Sequence, residues 1–206
     1  MGREPLIRVD LNEVMNSGQP VVLELGCGNA AHPGRIGIDQ VDLPSVEIVA
    51  DLEKGLPFFP DSSVDEIHAR SFFEHLENFE GVMREIVRVL KPRCTCHAFV
   101  PHFSNPYYYS DYTHRRFFVL YTFYYFVKKG RQLRRTVPDF YTDIRITIIK
   151  RRLKFSTPFR GRQIFKKLWG AIFNSSQWMQ EYYEENLCWK LPCYGLQIIF
   201  TPDKPD

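Results

Sequence analysis

No stretch of this chain is both long and free of charge, so nothing in it reads as a membrane-spanning helix. The start, Met1 to Pro5, has no apolar core, and no secretory leader is expected. Gly2 follows Met1 as in a myristoylation start, but Leu6 stands where that signal needs Ser or Thr. Cysteine is scarce and odd in number, at five, which leaves reduced cytoplasmic thiols as the expectation. Cys94 and Cys96 flank Thr95, while Cys188 and Cys193 lie far along the chain. That spacing does not make a zinc site, and no metal is expected. Internal repeats and flexible linkers are also missing. The formal charge of +3 is too small to name a partner by itself. What remains, 206 residues of which 44% are hydrophobic, suffices for a single globular α/β domain with a real core.

The most informative segment is Val21-Val22-Leu23-Glu24-Leu25-Gly26-Cys27-Gly28-Asn29-Ala30. A continuous apolar, β-prone run broken by one acid is the pattern of a buried parallel strand, here delivered into a Gly-x-Gly turn. Glycine lets the backbone approach a bulky ligand because no Cβ intervenes. In open α/β sheets, ligands bind outside the carboxyl ends of the strands. The pattern Gly26, Gly28, Ala31 is common, so the segments that follow decide its meaning. Arg35 to Asp39 reads as a second strand ending in an acid. Val46 to Asp51 reads as a third, also ending in an acid, and Val64 to Arg70 as a fourth, followed by Ser71-Phe72-Phe73-Glu74-His75-Leu76.

This set, in this order, resembles the Rossmann-like class of S-adenosylmethionine-dependent methyltransferases. The resemblance rests on Glu24 to Gly28, Gly37-Ile38-Asp39, Ala50-Asp51-Leu52, Leu56-Pro57-Phe58 and Phe73 to Leu76, and covers the chain to about Pro101. It implies S-adenosylmethionine as cofactor. It implies that the turn Gly26 to Gly28 packs on the methionine and ribose, that Asp39 takes the ribose hydroxyls, and that Asp51 takes the adenine amine with Leu52 beside the ring. Arg70, Ser71 and Phe72 would line the route from sulfonium to acceptor, and Glu24, Cys27, Asn29 and Gln40 complete the expected cofactor set. Carboxylates hold acceptors only, which suits a diol or an amine. Asp39 follows Gly28 by eleven residues, where a dinucleotide fold places its acid about 20 residues on, after a full helix. The missing helix N-terminus argues against a phosphate-bearing cofactor. His32, Arg35 and Arg70 are candidates for holding the methionine carboxylate.

Val82, Met83, Ile86, Val87 and Leu90 form a helical stripe that Lys91-Pro92 is expected to end, with a fifth strand over Arg93 to Val100. The segment Pro101 to Phe118 is rich in turn formers, aromatics, His and Arg, and hangs over the cofactor edge of the sheet. It is either a packed loop whose Asp111, Thr113 and His114 satisfy one another or the acceptor site. Histidine is the natural base near neutral pH. His114 and His102 are therefore the catalytic candidates, with Asp111 as partner and His75 third. Arg115 or Arg116 can clamp a carboxylate acceptor, and Tyr107, Tyr108, Tyr109 and Phe117 can wall the acceptor or pack the core.

Phe118 to Phe126 reads as a helix, Ile144 to Phe155 as a sixth strand, Trp178 to Leu187 as a last helix and Tyr194 to Thr201 as a seventh strand. The segment from Gly161 to Phe173 is a second amphipathic helix, either a cap over the acceptor pocket or an interfacial helix touching acidic lipid. The basic runs around Lys128, Lys150 and Arg160 are a solvated face or meet an anionic partner. The resemblance implies an α/β fold with a seven-stranded sheet of order 3-2-1-4-5-7-6, last strand antiparallel, helices on both faces and a small helical cap inserted late. One domain over 1–206 is expected, with a cofactor half (1–101) and an acceptor half (102–206). The function read from it is methyl transfer to a small-molecule or glycan acceptor, which the basic runs allow to be anionic, most naturally on oxygen, in the cytoplasm. The rivals are a nucleic-acid methyltransferase, disfavoured by the lack of an Asn-Pro-Pro-Tyr type motif after the fourth strand, and a non-catalytic or partner-dependent subunit of the same fold. Oligomeric state is left open.

Overall fold

The structure is a computed structural model that describes residues 4–30 and 32–204. Ala31 of the glycine pattern, and Met1 and Gly2 of the N-terminal reading, lie outside the described residues. The elements are β1 (Leu6–Ile7), α1 (Leu11–Asn16), β2 (Val22–Leu25), β3 (Ile36–Asp39), β4 (Ile48–Val49), β5 (Val64–Arg70), α2 (Phe79–Val89), β6 (Leu90–Pro101), β7 (Ile146–Lys154), α3 (Gln163–Phe173), α4 (Gln177–Asn186) and β8 (Gly195–Pro202). They form one sheet of order β1-β4-β3-β2-β5-β6-β8-β7. The strands from β4 to β6 run parallel, and β8 is antiparallel to both β6 and β7. The seven expected strands therefore stand in the expected order, extended by an eighth, β1, antiparallel on β4. Two residues give no period to read. What fixes this edge is Arg8, which donates to the Val46 carbonyl at 2.9 Å and pairs with Asp42 at 2.5 Å.

The polypeptide passes from α2 into β6 with no connecting residue, so Lys91-Pro92 lies within a strand instead of ending the helix. The β5–β6 register shifts between Val64 and Glu66, and Arg93 takes a positive φ of 64°. A bulge of this kind accommodates a proline that has no N–H to donate. A second register shift, in β7 between Ile148 and Lys150, turns Ile149 out to solvent. Phe118 to Phe126 is not an α-helix. Only Thr122–Phe126 is helical, as a 3-10 turn. Phe118 and Phe123 are fully buried and pack against Phe79, Phe73 and Phe200. Aromatics buried this closely set the backbone path over local propensity.

Along β5 and β6, Ile67, Ala69, Cys96, Ala98 and Val100 are buried in the core, which α2 covers with Val82, Met83, Ile86 and Val89. Alternation puts Glu66, His68, Thr95 and His97 on the opposite face, where they are only partly buried. Among the described residues, the β2–β3 and β3–β4 connections contain no helix. That side of the sheet is therefore open, and its central row is Glu24, His68 and His97, which are register neighbours.

Candidate active site

The parallel strands deliver their carboxyl ends to one edge, and a cavity of about 580 Å³ lies there. It is walled by Gly26 from the first turn, Asp39 and Gln40 after β3, Asp51 and Leu52 after β4, and Ser71, Phe72 and His75 after β5. Tyr112, Thr113 and Arg115 close it from above. Gly26 has φ +65°, and a Cβ there would lie 2.8 Å from the Phe72 ring, so only glycine fits. Ser71 holds φ +50°, a costly value for a non-glycine residue. Its N–H donates to the Phe99 carbonyl at 2.8 Å, and the resulting turn brings Phe72 under Gly26.

Asp39 Oδ2 accepts from the Gly28 N–H and Oδ1 from the Val41 N–H, each at 2.9 Å. Each oxygen keeps a further acceptor site, which fits a ribose diol. Asp51 accepts from the Glu53 N–H at 3.1 Å and pairs with Lys54 at 3.2 Å. The glycine approach, two strand-end carboxylates and a buried Leu52 are a donor and shape set that fits a nucleoside.

Of the twelve cofactor residues expected from sequence, Gly26, Asp39, Gln40, Asp51, Leu52, Ser71 and Phe72 line this cavity. Gly28 contributes its N–H to Asp39 instead, and Asn29 is exposed beyond it. Cys27 is buried against Gly37; burial, with Asp39 and Glu24 nearby, pushes its thiol up to about 11, so it is an inert packing group. Glu24 faces the open side of the sheet, where it meets His32 at 2.6 Å and Arg35 at 3.5 Å. Arg70 stacks over the Phe99 ring. Glu24, His32, Arg35 and Arg70 thus wall a different cavity, of about 560 Å³, with His68 and His97.

Above this cavity the loop from 111 to 116 is tied down by its backbone. The N–H groups of Arg115 and Arg116 donate to the Glu74 carbonyl. Thr113 Oγ1 donates to Asp111 Oδ1 at 2.6 Å and lies 2.9 Å from His75 Nδ1. A hydroxyl that gives its proton to a carboxylate must accept from the imidazole, so His75 carries its proton on Nδ1 and presents Nε2 as a base. Burial and the nearby His114 lower the His75 pKa below its ordinary value, which keeps it neutral at physiological pH. His114 donates from Nδ1 to the Tyr108 carbonyl at 2.9 Å and sets Nε2 3.5 Å from Asp111. Its ring lies 4.9 Å from that of His75.

Glu74 is buried beneath this group. Burial raises its pKa to about 7, and Oε2 has no hydrogen-bond partner among the described residues. Of the two readings of this loop, the packing contacts are present, since Asp111, Thr113 and His114 do satisfy one another around His75, and Tyr112, Thr113 and Arg115 also line the cavity. The outcome for His102 is different. It is fully buried, bonded to Ser104 at 2.8 Å and to Glu184 at 3.2 Å, so no acceptor reaches it. His75, placed third by sequence, is the histidine at the cavity wall. Its signal was its position directly after the fourth strand.

Two groups bring together donor types that a transition metal takes: Glu74, His75 and His114 here, and Glu66, His68 and His97 on the open face. In each, one ligand atom per residue lies within 4.8 Å of the others. In the second, Glu66 and His68 already satisfy each other at 2.5 Å.

The strand order defines a doubly wound α/β fold, and the edge cavity with its two acids lies where such folds bind ligands. Residues 33–98 match the family model of the methyltransferase domain. Comparison with curated proteins gives no match. Among solved structures, YcgJ from Bacillus subtilis is similar at 16% identity and a TM-score of 0.51, over 95% of this chain and 98% of that one. A SAM-dependent methyltransferase from Archaeoglobus fulgidus is similar at 16% identity and a TM-score of 0.50, over 89% and 86%. These likenesses establish the fold. The match over residues 33–98 and the shared fold support an S-adenosylmethionine-dependent methyltransferase of the Rossmann-like class.

Proposed function

We propose that this enzyme methylates an oxygen of a small-molecule or glycan acceptor, with His75 as general base. The observation that carries this is the chain His75–Thr113–Asp111, which fixes the tautomer of a neutral imidazole at the cavity wall. Bound S-adenosylmethionine supplies an electrophilic methyl group on a sulfonium. Asp39 and Asp51 would hold its ribose and adenine; Gly26 and Phe72 would set its depth. His75 Nε2 accepts the acceptor hydroxyl proton, a task a base near neutral pH performs well. Asp111 and His114 are positioning residues, since each acts through another group. Arg115, paired with Glu77 at 2.9 Å, stands at the rim where it can clamp an anionic acceptor. All five cysteines are free, in keeping with a reducing cytoplasm.

The test is transfer of labelled methyl from S-adenosylmethionine to a panel of glycans, phenols, carboxylates and RNA. An O-methyl product is expected. His75→Gln should lower turnover about 100-fold or more while leaving S-adenosylhomocysteine affinity unchanged. The wild-type kcat/KM should fall on acidification only below pH 6.5, because the His75 pKa is depressed. Transfer to an RNA base amine would overturn the acceptor reading, and full activity of His75→Gln would remove the base.

A further inference from the structure

The helix α3 is amphipathic in the wrong sense for a core helix. Of its residues only Phe173 is buried. Ile164, Leu168 and Ile172 fall in one row at i, i+4 and i+8, with Phe165 beside them. They are exposed by 74%, 53%, 42% and 59%. Phe159, in the turn before the helix, is 58% exposed. A cap over an acceptor pocket would turn this row inward. The charge around it has one sign. From residue 144 to residue 180 the chain has nine Lys and Arg and no Asp or Glu. Arg160, Arg162 and Lys167 are exposed, and among the described residues none of them is paired with a carboxylate. Beside the row a cavity of about 510 Å³ is walled by Phe159, Phe165 and Trp169 together with Arg162, Lys166 and Lys190. Apolar wall and cation together are the chemistry that a phosphate-bearing headgroup requires.

We infer that α3 and the turn before it form a docking surface for an anionic lipid bilayer. The apolar row enters the headgroup boundary and Arg160, Arg162 and Lys167 meet the lipid phosphates. No helix among the described residues is long and apolar enough to cross a membrane, so this contact is peripheral. A second copy of the chain is a poor occupant, because pairing the same face would set two unneutralised basic surfaces together. A nucleic acid would use the charge but leave Ile164, Leu168 and Ile172 in water.

The test is co-sedimentation of the full chain with vesicles of phosphatidylcholine alone and with 30% phosphatidylglycerol added, at physiological salt. Binding is expected only to the anionic vesicles. The double variant Ile164→Ser/Leu168→Ser and the double variant Arg160→Glu/Lys167→Glu should each lower partitioning at least tenfold, with unchanged melting temperature and circular dichroism. These positions are exposed, so loss of folding is not expected; Ile164→Ala/Leu168→Ala serves as the milder control and should lower binding less. Absence of vesicle binding overturns the inference. Binding indifferent to Ile164→Ser/Leu168→Ser also overturns it, since that is charge attraction without insertion. A dimer in sedimentation velocity, lost in that variant and unaccompanied by vesicle binding, would assign the face to a second copy. Tight binding of single-stranded RNA without vesicle binding would assign it to nucleic acid.

Discussion

The carboxylate of Asp39 has two tasks, and each has a measurable cost. It holds the Gly28 and Val41 N–H groups, and its remaining acceptor sites face the cavity. Each charge-assisted hydrogen bond is worth roughly 1.5–3 kcal/mol. Asp39→Ala should therefore weaken S-adenosylhomocysteine binding by about 100-fold in calorimetry. It should also lower stability in urea by about 1 kcal/mol, because two loop N–H groups lose their partner. Undiminished affinity would remove Asp39 from the site.

Glu74 gives the pH signature. Its pKa in the fold is raised to about 7 from an ordinary 4.5. A raised acid contributes its full stability below the unfolded pKa, and this is lost as pH rises from 4.5 through about 7. The loss for a shift of this size is on the order of 3 kcal/mol by pH 8. Glu74→Gln removes the titration. Its stability relative to wild type, from urea unfolding, should rise between pH 5 and pH 8 by that order. An unchanged difference at the two pH values would mean that Glu74 does not hold its proton in the fold.

These two residues also show where sequence legibility ends. Asp39 was legible because a strand-end acid after a glycine turn has a local pattern. Glu74 was not, because the burial that raises its pKa, with Asp111 adding to it, arises only in the fold. His102 and His114 looked alike in sequence; the fold sets His102 against Ser104 and Glu184 and His114 beside His75.

At the scale of elements, periodicity carried the strands and α2, because each buries one coherent face. It failed where packing or length overrode it. The pair Leu6–Ile7 is too short to have a period, and the aromatic run 118–126 is apolar on every side, so it marks burial without naming a backbone. The proline bulge in β6 left no pattern at all. One element-level link is open to test. Arg88 on α2 bonds Glu85, Asp61 and the carbonyls of Leu56 and Phe59, and so fastens the segment between β4 and β5 to the helix. Glu85 in turn accepts from the Leu56 N–H at 2.8 Å. The pair is partly buried, so the full cost of breaking a buried ion pair, about 3–5 kcal/mol, is reduced by solvent. Arg88→Met should cost about 2 kcal/mol in chemical denaturation. It should also raise amide exchange over residues 55–63 more than elsewhere. Uniform exchange across the chain would show that the segment is held by its own packing.

For the whole molecule, the sheet does not divide where the expected cofactor half (1–101) and acceptor half (102–206) meet. Strand β8, from the C-terminal half, is inserted between β6 and β7 and pairs with β6 through six residues, from Cys96–Phe200 to Pro101–Gly195. Gly195 sits so close to the Phe99 ring and the Val100 carbonyl that a Cβ would meet both. Leu196, Ile198 and Phe200 fill the same core as Ile67 and Cys96. A fragment of residues 1–101 would expose that core and leave β6 as a long unpaired edge, the condition that promotes aggregation. Cofactor half and acceptor half are thus expected to unfold as one unit. Heating the full chain should give a single calorimetric transition, with calorimetric and van't Hoff enthalpies equal, and the fragment should be insoluble or unfolded. Two resolved transitions, or a folded fragment that binds S-adenosylhomocysteine, would show that strands β1 to β6 stabilise themselves without β8.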